Sequence, residues 1–394
     1  MKILIVGAGI AGPTLAYWLG RYGFEATVVE QAGGLRAGGY LIDFWGAGYD
    51  IADRMGALPE IMRDGYRVQR LRVVNQDGKR TAGFPVDAFT RVTGGRYITV
   101  ARTDLAAAIF ARLGDGVERI FGDSVTQIER TSRGVEVKFE HEAAREFDLV
   151  VGADGLHSRV RELVYGPQNQ FEQYLGYKVA AFEAEGYQPR DELTYVMYTE
   201  VGQQIGRFSQ RDNRTLFLFT FSDPDPSVPG KVQDQKAALR KRYAGSGWEC
   251  PKILDALDAC GELYFDRVSQ IRMPAEPGSW SRDRVTLVGD AAWCVSLLAG
   301  QGSALAMIGA YILAGELHRA QGDHGAAFAR YQELFGPFVL MKQQAALRFA
   351  GAFAPKSRTS LFLRNQVLNL LTIPWIADWA FGRDFVDRIA LQNY

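Results

Sequence analysis

The glycine-rich turn at residues 7–12 constrains the fold of this 394-residue chain more than any other feature. It reads GAGIAG and follows residues 2–6 (KILIV), a short apolar run that predicts a buried strand. Pro13 suits the first turn of a helix, which the sequence predicts over residues 14–20, and residues 26–30 (ATVVE) predict a second strand. This order of elements forms a βαβ unit, so we expect an α/β fold with a parallel sheet.

The spacing of the three glycines matches a dinucleotide-binding turn. Gly7 permits the tight turn, Gly9 lets the backbone approach a pyrophosphate, and Gly12 lets the helix pack on the strand. Glu30 ends the second predicted strand, where it can accept hydrogen bonds from the hydroxyls of an unphosphorylated ribose. The predicted site therefore comprises Gly7, Gly9, Ala11, Gly12, Glu30 and Gln31. The motif alone does not separate FAD from NAD, and a βαβ turn that binds nothing is the alternative.

A second strand-and-turn segment covers residues 148–161 (DLVVGADGLHSRVR). It predicts a buried strand, a turn that contains Asp154 and Gly155, and the start of a basic helix. A simpler interpretation is that Asp154 only caps the N terminus of that helix. That interpretation explains the acid and the glycine but not the whole string.

A third segment begins with residues 285–288 (VTLV), which predict another buried strand. Gly289 and Asp290 follow it, and a carboxylate at this position could bind ribitol-like hydroxyls. The turn at residues 300–302 (GQG) then opens an apolar helix over residues 303–317. Because that helix is apolar nearly all round, we expect it to be buried, with its N terminus available to negative charge.

Together, the three segments resemble the FAD-dependent aromatic hydroxylases, the para-hydroxybenzoate hydroxylase-like group A flavin monooxygenases, over about residues 1–335. The stretch from DAAWC to GAYILAGEL is most similar to the tetracycline-inactivating branch. The resemblance implies a Rossmann-like FAD-binding domain interleaved with a β-sheet substrate domain, plus C-terminal helices. It adds further cofactor-binding residues to those of the first turn: Arg36, Asp43, Arg102, Asp154, Gly155, Gly289, Asp290, Gly300, Gln301, Gly302 and Ser303.

The activity implied by the resemblance is hydroxylation of a bulky aromatic or polyketide-like small molecule. NADPH or NADH would reduce the FAD, O2 would give a flavin C4a-hydroperoxide, and one oxygen atom would pass to the substrate. We assign no catalytic side chain, because the flavin supplies the reactive group. Residues 293–299 lack the prolines usual in this loop of the family, so a flavoprotein oxidase or dehydrogenase is an alternative. A non-catalytic FAD-bound binding protein is a weaker one.

The interleaving of motifs predicts a discontinuous FAD-binding domain over residues 1–75, 98–166 and 281–330. Residues 76–97 and 167–280 are assigned to a β-rich substrate domain, because five strands are predicted within residues 167–280. Phe208, Phe217, Phe219 and Trp293 are candidates for a substrate pocket, although core packing explains Phe217 and Phe219 equally well and is favoured for Trp293. Residues 331–394 are expected to form a C-terminal helical segment that Pro374 interrupts.

The apolar C-terminal segment has three interpretations. We favour a helix docked on the core; a cap over a bulky substrate resembles the tetracycline-inactivating branch. A membrane-surface helix is the weaker interpretation, because Asp378 and Asp384 interrupt the apolar face.

The composition restricts the remaining function classes. Forty-five basic and 45 acidic residues leave no net charge to attract nucleic acid. Three cysteines and four scattered histidines predict no metal site. We also expect no membrane span and, without a signal-peptide pattern, a cytoplasmic location. The oligomeric state is not predicted.

Overall fold

The computed structural model describes residues 1–35, 40–274, 276, 278–378 and 389–394. Its strands, in chain order, are β1 (Lys2–Val6), β2 (Glu25–Glu30), β3 (Leu41–Trp45), β4 (Arg70–Val74), β5 (Arg80–Pro85), β6 (Tyr97–Ala101), β7 (Glu118–Phe121), β8 (Val125–Arg130), β9 (Val135–Phe139), β10 (Arg145–Phe147), β11 (Leu149–Gly152), β12 (Glu172–Glu185), β13 (Thr194–Glu200), β14 (Gln203–Ser209), β15 (Arg214–Ser222), β16 (Tyr264–Ile271), β17 (Ser281–Arg282) and β18 (Val285–Leu287).

The α-helices are α1 (Ala11–Arg21), α2 (Ala47–Arg54), α3 (Leu58–Asp64), α4 (Asp87–Val92), α5 (Arg102–Phe110), α6 (Arg159–Tyr165), α7 (Val232–Tyr243), α8 (Cys250–Ala259), α9 (Asp290–Trp293), α10 (Gly302–Arg319), α11 (His324–Phe353) and α12 (Arg358–Leu370). No helix among the described residues is both long enough and apolar enough to cross a membrane.

The glycine motifs meet at one edge of a six-stranded sheet with the order β17-β18-β11-β1-β2-β7. β1 pairs in parallel with β2 and β11, and β11 pairs in parallel with β18. The strands β1, β11 and β18 therefore end at the same edge, where the turns after Val6, Gly152 and Leu287 begin. This edge is where open α/β sheets bind nucleotides. The expected α/β fold is confirmed, and α10 is buried, as its apolar sequence predicts, with α1, α2 and α11 packed against it.

A second, seven-stranded sheet has the order β16-β12-β15-β14-β13-β4-β5. β4 lies within residues 1–75, which the sequence assigns to the FAD-binding domain, yet it pairs with β13 and β5 of this sheet. That domain boundary is therefore corrected to a point before β4. The local sequence of β4 carries no sign of its partner, because the pairing joins segments more than 100 residues apart.

The C-terminal residues pack against α10. The ring of Tyr394 lies directly over Gly315 of α10, where an added Cβ would stand 2.1 Å from the ring. Its hydroxyl donates to Glu316 Oε1 at 2.8 Å, and the Tyr311 hydroxyl donates to the carbonyl of Gln392 at 2.6 Å. These contacts fix the end of the chain on α10.

Candidate functional site

A cleft of about 210 Å³ opens at the carboxyl edge of the six-stranded sheet. Eleven of the predicted cofactor residues line it: Gly7, Gly9, Ala11, Glu30, Gln31, Arg102, Asp154, Gly155, Asp290, Gly302 and Ser303. Residues from four separate parts of the sequence therefore face one space.

The glycines of the first turn form a cradle that side chains would fill. Gly7 has φ of 109°, and a Cβ there would lie 2.6 Å from the carbonyl oxygen of Ala153. A Cβ on Gly12 would lie 1.9 Å from the Gly7 oxygen, so α1 can pack this closely only on glycine. Gly9 is different, because its nearest neighbour is Arg102 Nη2 at 3.6 Å. Its open side leaves the backbone accessible to a pyrophosphate, so the cradle fits a dinucleotide.

Glu30 is fixed at the end of β2 by backbone donors. Its Oε2 accepts from the amide of Ala8 at 2.9 Å, and its Oε1 accepts from the amide of Ala32 at 3.0 Å. Each carboxylate oxygen has further acceptor capacity. The carboxylate is therefore held in the cleft with lone pairs for ribose hydroxyls.

Asp290 and Arg102 stand where the cleft joins a larger cavity, because both line the two spaces. Asp290 begins α9, and burial raises the pKa of its carboxyl while the nearby charge of Arg102 lowers it. Gly289, at φ of 70°, brings the backbone so close that a Cβ would lie 3.0 Å from Ala11 Cβ. Gly12 and Gly289 thus shape the backbone, whereas Asp290 and Arg102 supply the charge.

Asp154 has a structural role as well as a place in the cleft. Its Oδ1 accepts from Ser158 Oγ at 2.5 Å, and its Oδ2 accepts from the amide of Val160 at 3.0 Å. Both bonds secure the start of α6, but the N-cap of that helix is Ser158, so Asp154 supports the cap rather than forming it. Burial raises the pKa of this carboxyl, against the lowering effect of those hydrogen bonds.

The larger cavity, of about 720 Å³, lies between the two sheets. Its walls include a pair of tyrosines, Tyr40 and Tyr264, whose ring centroids are 5.5 Å apart. Burial raises the pKa of both hydroxyls, so both are neutral at physiological pH. The sequence analysis missed this pair, because the two residues are far apart in the chain and neither belongs to a motif.

The loop between α9 and α10 borders the same cavity through Cys294, Ser296, Leu297 and Gly300. Ser296 has φ of 118°, which is unusual for a residue with a side chain. Its hydroxyl accepts from the amide of Leu298 at 3.2 Å and caps a short 3-10 helix. A serine cap therefore orders this loop without the prolines that the family resemblance leads us to expect.

Asp43 and Gln301 face a smaller space outside both cavities, which they share with Trp45 and Leu305. Oδ1 of Asp43 accepts from the Tyr97 hydroxyl at 2.8 Å and from Thr99 Oγ1 at 2.6 Å. Burial raises the pKa of this carboxyl, although both hydrogen bonds lower it. Arg36, the remaining predicted cofactor residue, lies outside the described residues.

The predicted substrate-pocket aromatics are corrected, since none of the four lines either cavity. Phe217 and Phe219 are fully buried, and they stack on Phe182 in a cluster that also includes Tyr243 of α7 and Leu254 of α8.

The other two are also core residues. Phe208 packs edge-on against Tyr66, and Trp293 donates to the Tyr331 hydroxyl at 3.1 Å. Both faces of β15 carry apolar side chains, so the sequence does not show which face is covered. In the structure, α7 and α8 cover the face that carries Phe217 and Phe219.

His157 lies at the entrance to both spaces. Its Nε2 is 3.2 Å from Asp266 Oδ2, and its Nδ1 is 2.9 Å from Gln168 Nε2. The hydrogen bond to Asp266 raises the pKa of His157, whereas partial burial lowers it. Within the described residues, no group of three or more His, Cys, Asp or Glu side chains is arranged to hold a metal ion.

Comparison with known proteins gives concordant matches. The model of an FAD-binding-domain family matches residues 1–327. An uncharacterized protein of Mycobacterium tuberculosis is 39% identical over 352 residues, which cover 87% of this chain and 92% of that protein. A flavin-dependent monooxygenase of Legionella longbeachae is 32% identical over 376 residues, 94% of each chain.

Two solved structures are similar over nearly the whole chain. The tetracycline destructase Tet(51) superposes with a TM-score of 0.83 at 32% identity, covering 100% of this chain and 99% of that one. Klebsiella pneumoniae HpxO, in complex with FAD and uric acid, has a TM-score of 0.78 at 24% identity, covering 97% of each chain. The second match shows the fold alone.

Proposed function

The chain belongs to the FAD-binding-domain family and is an FAD-dependent monooxygenase; we propose that it consumes NADH or NADPH and O2 to hydroxylate a bulky aromatic or polyketide-like small molecule. The observation that carries the proposal is the junction of the two cavities at Arg102 and Asp290. A nucleotide in the cleft would reach a separate space with an aromatic wall. The similarity to Tet(51), a tetracycline destructase by name, supports a bulky substrate.

The chain's own residues would bind and orient the cofactor. The turn at Gly7, Gly9 and Gly12 would hold the diphosphate, and Glu30 the adenosine ribose. FAD held by these residues would supply the redox chemistry, namely the acceptance of electrons from NADH or NADPH and the activation of O2 for transfer of one oxygen atom. The amides of Gly302 and Ser303, at the N terminus of α10, favour negative charge on the reduced ring.

The larger cavity suits a step that must exclude water. Its volume falls within the range of about 300–1,000 Å³ that is typical of small-molecule sites. Tyr40, Tyr264 and Leu156 give it apolar surface, which lowers the access of water to a reactive oxygen species. The neutral hydroxyls of the two tyrosines can orient a polar substituent on a ring.

The cofactor role of Asp43 and Gln301 is also part of the proposal. Both face the space beside the start of α10, on the side of β3 opposite to Tyr40 and Ile42. With Oδ1 of Asp43 engaged by Tyr97 and Thr99, its second oxygen can contact a group bound near that helix.

An oxidase or dehydrogenase is the second candidate, favoured by the proline-free loop over residues 293–299. The deciding experiment measures NADH and NADPH oxidation by the holoenzyme against phenols, indoles, quinolones and tetracyclines under isotopically labelled O2. A monooxygenase gives a product with one labelled oxygen atom. Oxidation of a substrate with all the labelled oxygen recovered as peroxide would instead establish the second candidate.

A further inference from the structure

Helix α12 exposes apolar side chains, whereas a helix on the surface of a water-exposed domain normally turns such side chains toward the core. Phe362, Leu363, Val367 and Leu370 are 61%, 58%, 57% and 48% exposed, and we call these four side chains the outer α12 surface. Among the described residues of this helix, not one is buried. An ordinary surface helix turns its apolar stripe toward the core, so this arrangement leaves the stripe without a partner within the described chain.

The face of α12 turned toward the protein carries polar side chains beside the partly buried Leu361 and Leu368. Arg364 Nη1 donates to Gln204 Oε1 of β14 at 3.4 Å, and Asn369 Nδ2 donates to the carbonyl of Thr81 in β5 at 3.2 Å. The helix also begins with a capping box between Ser357 and Ser360. The helix is therefore well formed, and its hydrogen bonds to the seven-stranded sheet fix which face points outward.

The charge of this part of the chain is one-sided. Between Glu333 and Asp378 the sequence contains five basic residues and no acidic residue, although the whole chain has 45 of each. Of these five, Lys356 and Arg358 at the start of α12 are exposed, whereas Lys342 is buried and Arg364 faces β14. Asp378, which interrupts the apolar pattern, is paired with Arg91 at 3.0 Å. The outer α12 surface thus lies beside positive charge, without a nearby free acid in the described part of the segment.

We propose that the outer α12 surface docks on an anionic lipid bilayer, with the helix lying in the plane of the interface. Exposed Phe and Leu side chains insert at the level of the headgroups, and Trp375, 72% exposed just after the helix, is a residue typical of that interface. Lys356 and Arg358 add attraction to anionic headgroups. A second copy of this chain is a poorer occupant, because two such faces would bring like charges together.

The main test is flotation of the FAD-loaded protein with vesicles of phosphatidylcholine that contain about one-third phosphatidylglycerol. We expect the wild type to float and the combined Phe362→Gln, Val367→Gln and Leu370→Gln variant to bind about tenfold or more weakly. Val232→Gln, which changes a 41%-exposed apolar residue at the start of α7, is the matched control and should bind as the wild type does. FAD content and thermal unfolding show that each variant is folded.

The charge contribution is tested separately. Lys356→Glu with Arg358→Glu should weaken binding by about tenfold or more, whereas Lys231→Glu with Lys241→Glu, both exposed on or beside α7, should have a smaller effect. Equal binding to pure phosphatidylcholine would overturn the anionic preference. Failure of the wild type to float, or flotation that the triple variant retains, would overturn the proposal. A wild-type dimer that the triple variant dissociates, without vesicle binding, would assign the surface to a second copy instead.

Discussion

The nucleotide cleft and the seven-stranded sheet differ in what determines their structure. In the cleft, the backbone geometry restricts which residue type can occupy a position, since a Cβ on Gly12 would stand 1.9 Å from a carbonyl oxygen. In the sheet, β15 carries apolar side chains on both faces, and only its packing against α7 and α8 decides which face is core. The cleft is therefore encoded locally, whereas the sheet depends on contacts between distant segments.

The largest effect is expected from Gly12→Val, which tests whether the cleft depends on backbone approach. The side chain would collide with the Gly7 carbonyl and force α1 away from β1, so we expect loss of bound FAD and a fall of about 4 kcal/mol or more in the free energy of unfolding. FAD content and urea unfolding measure the two effects. Gly20→Ala, on the same helix with its nearest contact at 4.0 Å, is the control and should change stability by about 1 kcal/mol or less. Normal FAD content in Gly12→Val would contradict local encoding of the cleft.

The next prediction concerns the two faces of β15. Phe217→Ala removes a fully buried ring from the cluster with α7 and α8, so we expect a loss of about 3–5 kcal/mol in unfolding free energy. Leu218→Ala, which changes a partly buried residue on the opposite face, should cost about 1 kcal/mol. Urea unfolding of the two variants gives the difference. Equal losses would mean that the two faces of β15 contribute equally to the core, which would contradict the proposed difference between them.

Variants of Asp290 and Asp154 test whether the first carboxylate serves cofactor binding and the second serves the stability of α6. Because burial raises the pKa of Asp290 above 3.8, its ionised form costs stability that is regained as pH falls through that raised pKa. Asp290→Asn should therefore unfold less easily near neutral pH while it binds FAD more weakly. Asp154→Ala removes the acceptors for the Val160 amide and the Ser158 hydroxyl at the start of α6 and should be destabilised by about 1 kcal/mol. The prediction fails if both variants change stability in the same direction when FAD-free protein is unfolded in urea.

The smallest effect is expected at the His157–Asp266 pair at the cavity entrance. The pKa of His157 is raised from 6.5, so the stability that the pair supplies is fully present below pH 6.5 and is lost as pH rises through the raised value. The imidazole is about half exposed, so we expect less than about 1 kcal/mol. Thermal unfolding of the wild type and His157→Gln near pH 6 and near pH 9 measures this. The same difference at both pH values would argue against a charged pair.

The sequence predicted the parts of the molecule that short motifs determine. The strands and turns around Gly7, Asp154 and Asp290 lie where expected, and the resemblance to the aromatic hydroxylases is confirmed. The Tyr40–Tyr264 pair could not be predicted, because its two residues meet only through the packing of β16 beside the FAD-binding half. The assignment of Phe217 and Phe219 to a pocket was wrong for the same reason. The residues of β15 do not show that α7 and α8 pack against this face.

The outer α12 surface shows a different limit of sequence patterns. The apolar residues of α12 suggest a helix docked on the core, as in most domains. The observed hydrogen bonds of Arg364 and Asn369 to the sheet turn the opposite face inward. This orientation depends on polar partners in β5 and β14, and the residue pattern of α12 alone cannot reveal those partners.

The central proposal is that one FAD binds at the Gly7–Gly12 turn and beside Asp290, next to the cavity in which we propose that oxygen transfer takes place. The most direct measurement is the yellow flavin absorbance of purified wild type and Gly12→Val, before and after anaerobic addition of NADH or NADPH. The wild type should carry one FAD per chain that bleaches on reduction and returns in air, whereas Gly12→Val should carry almost none. A colourless wild type that takes up no added FAD, or a Gly12→Val variant with full and reducible FAD, would contradict the claim.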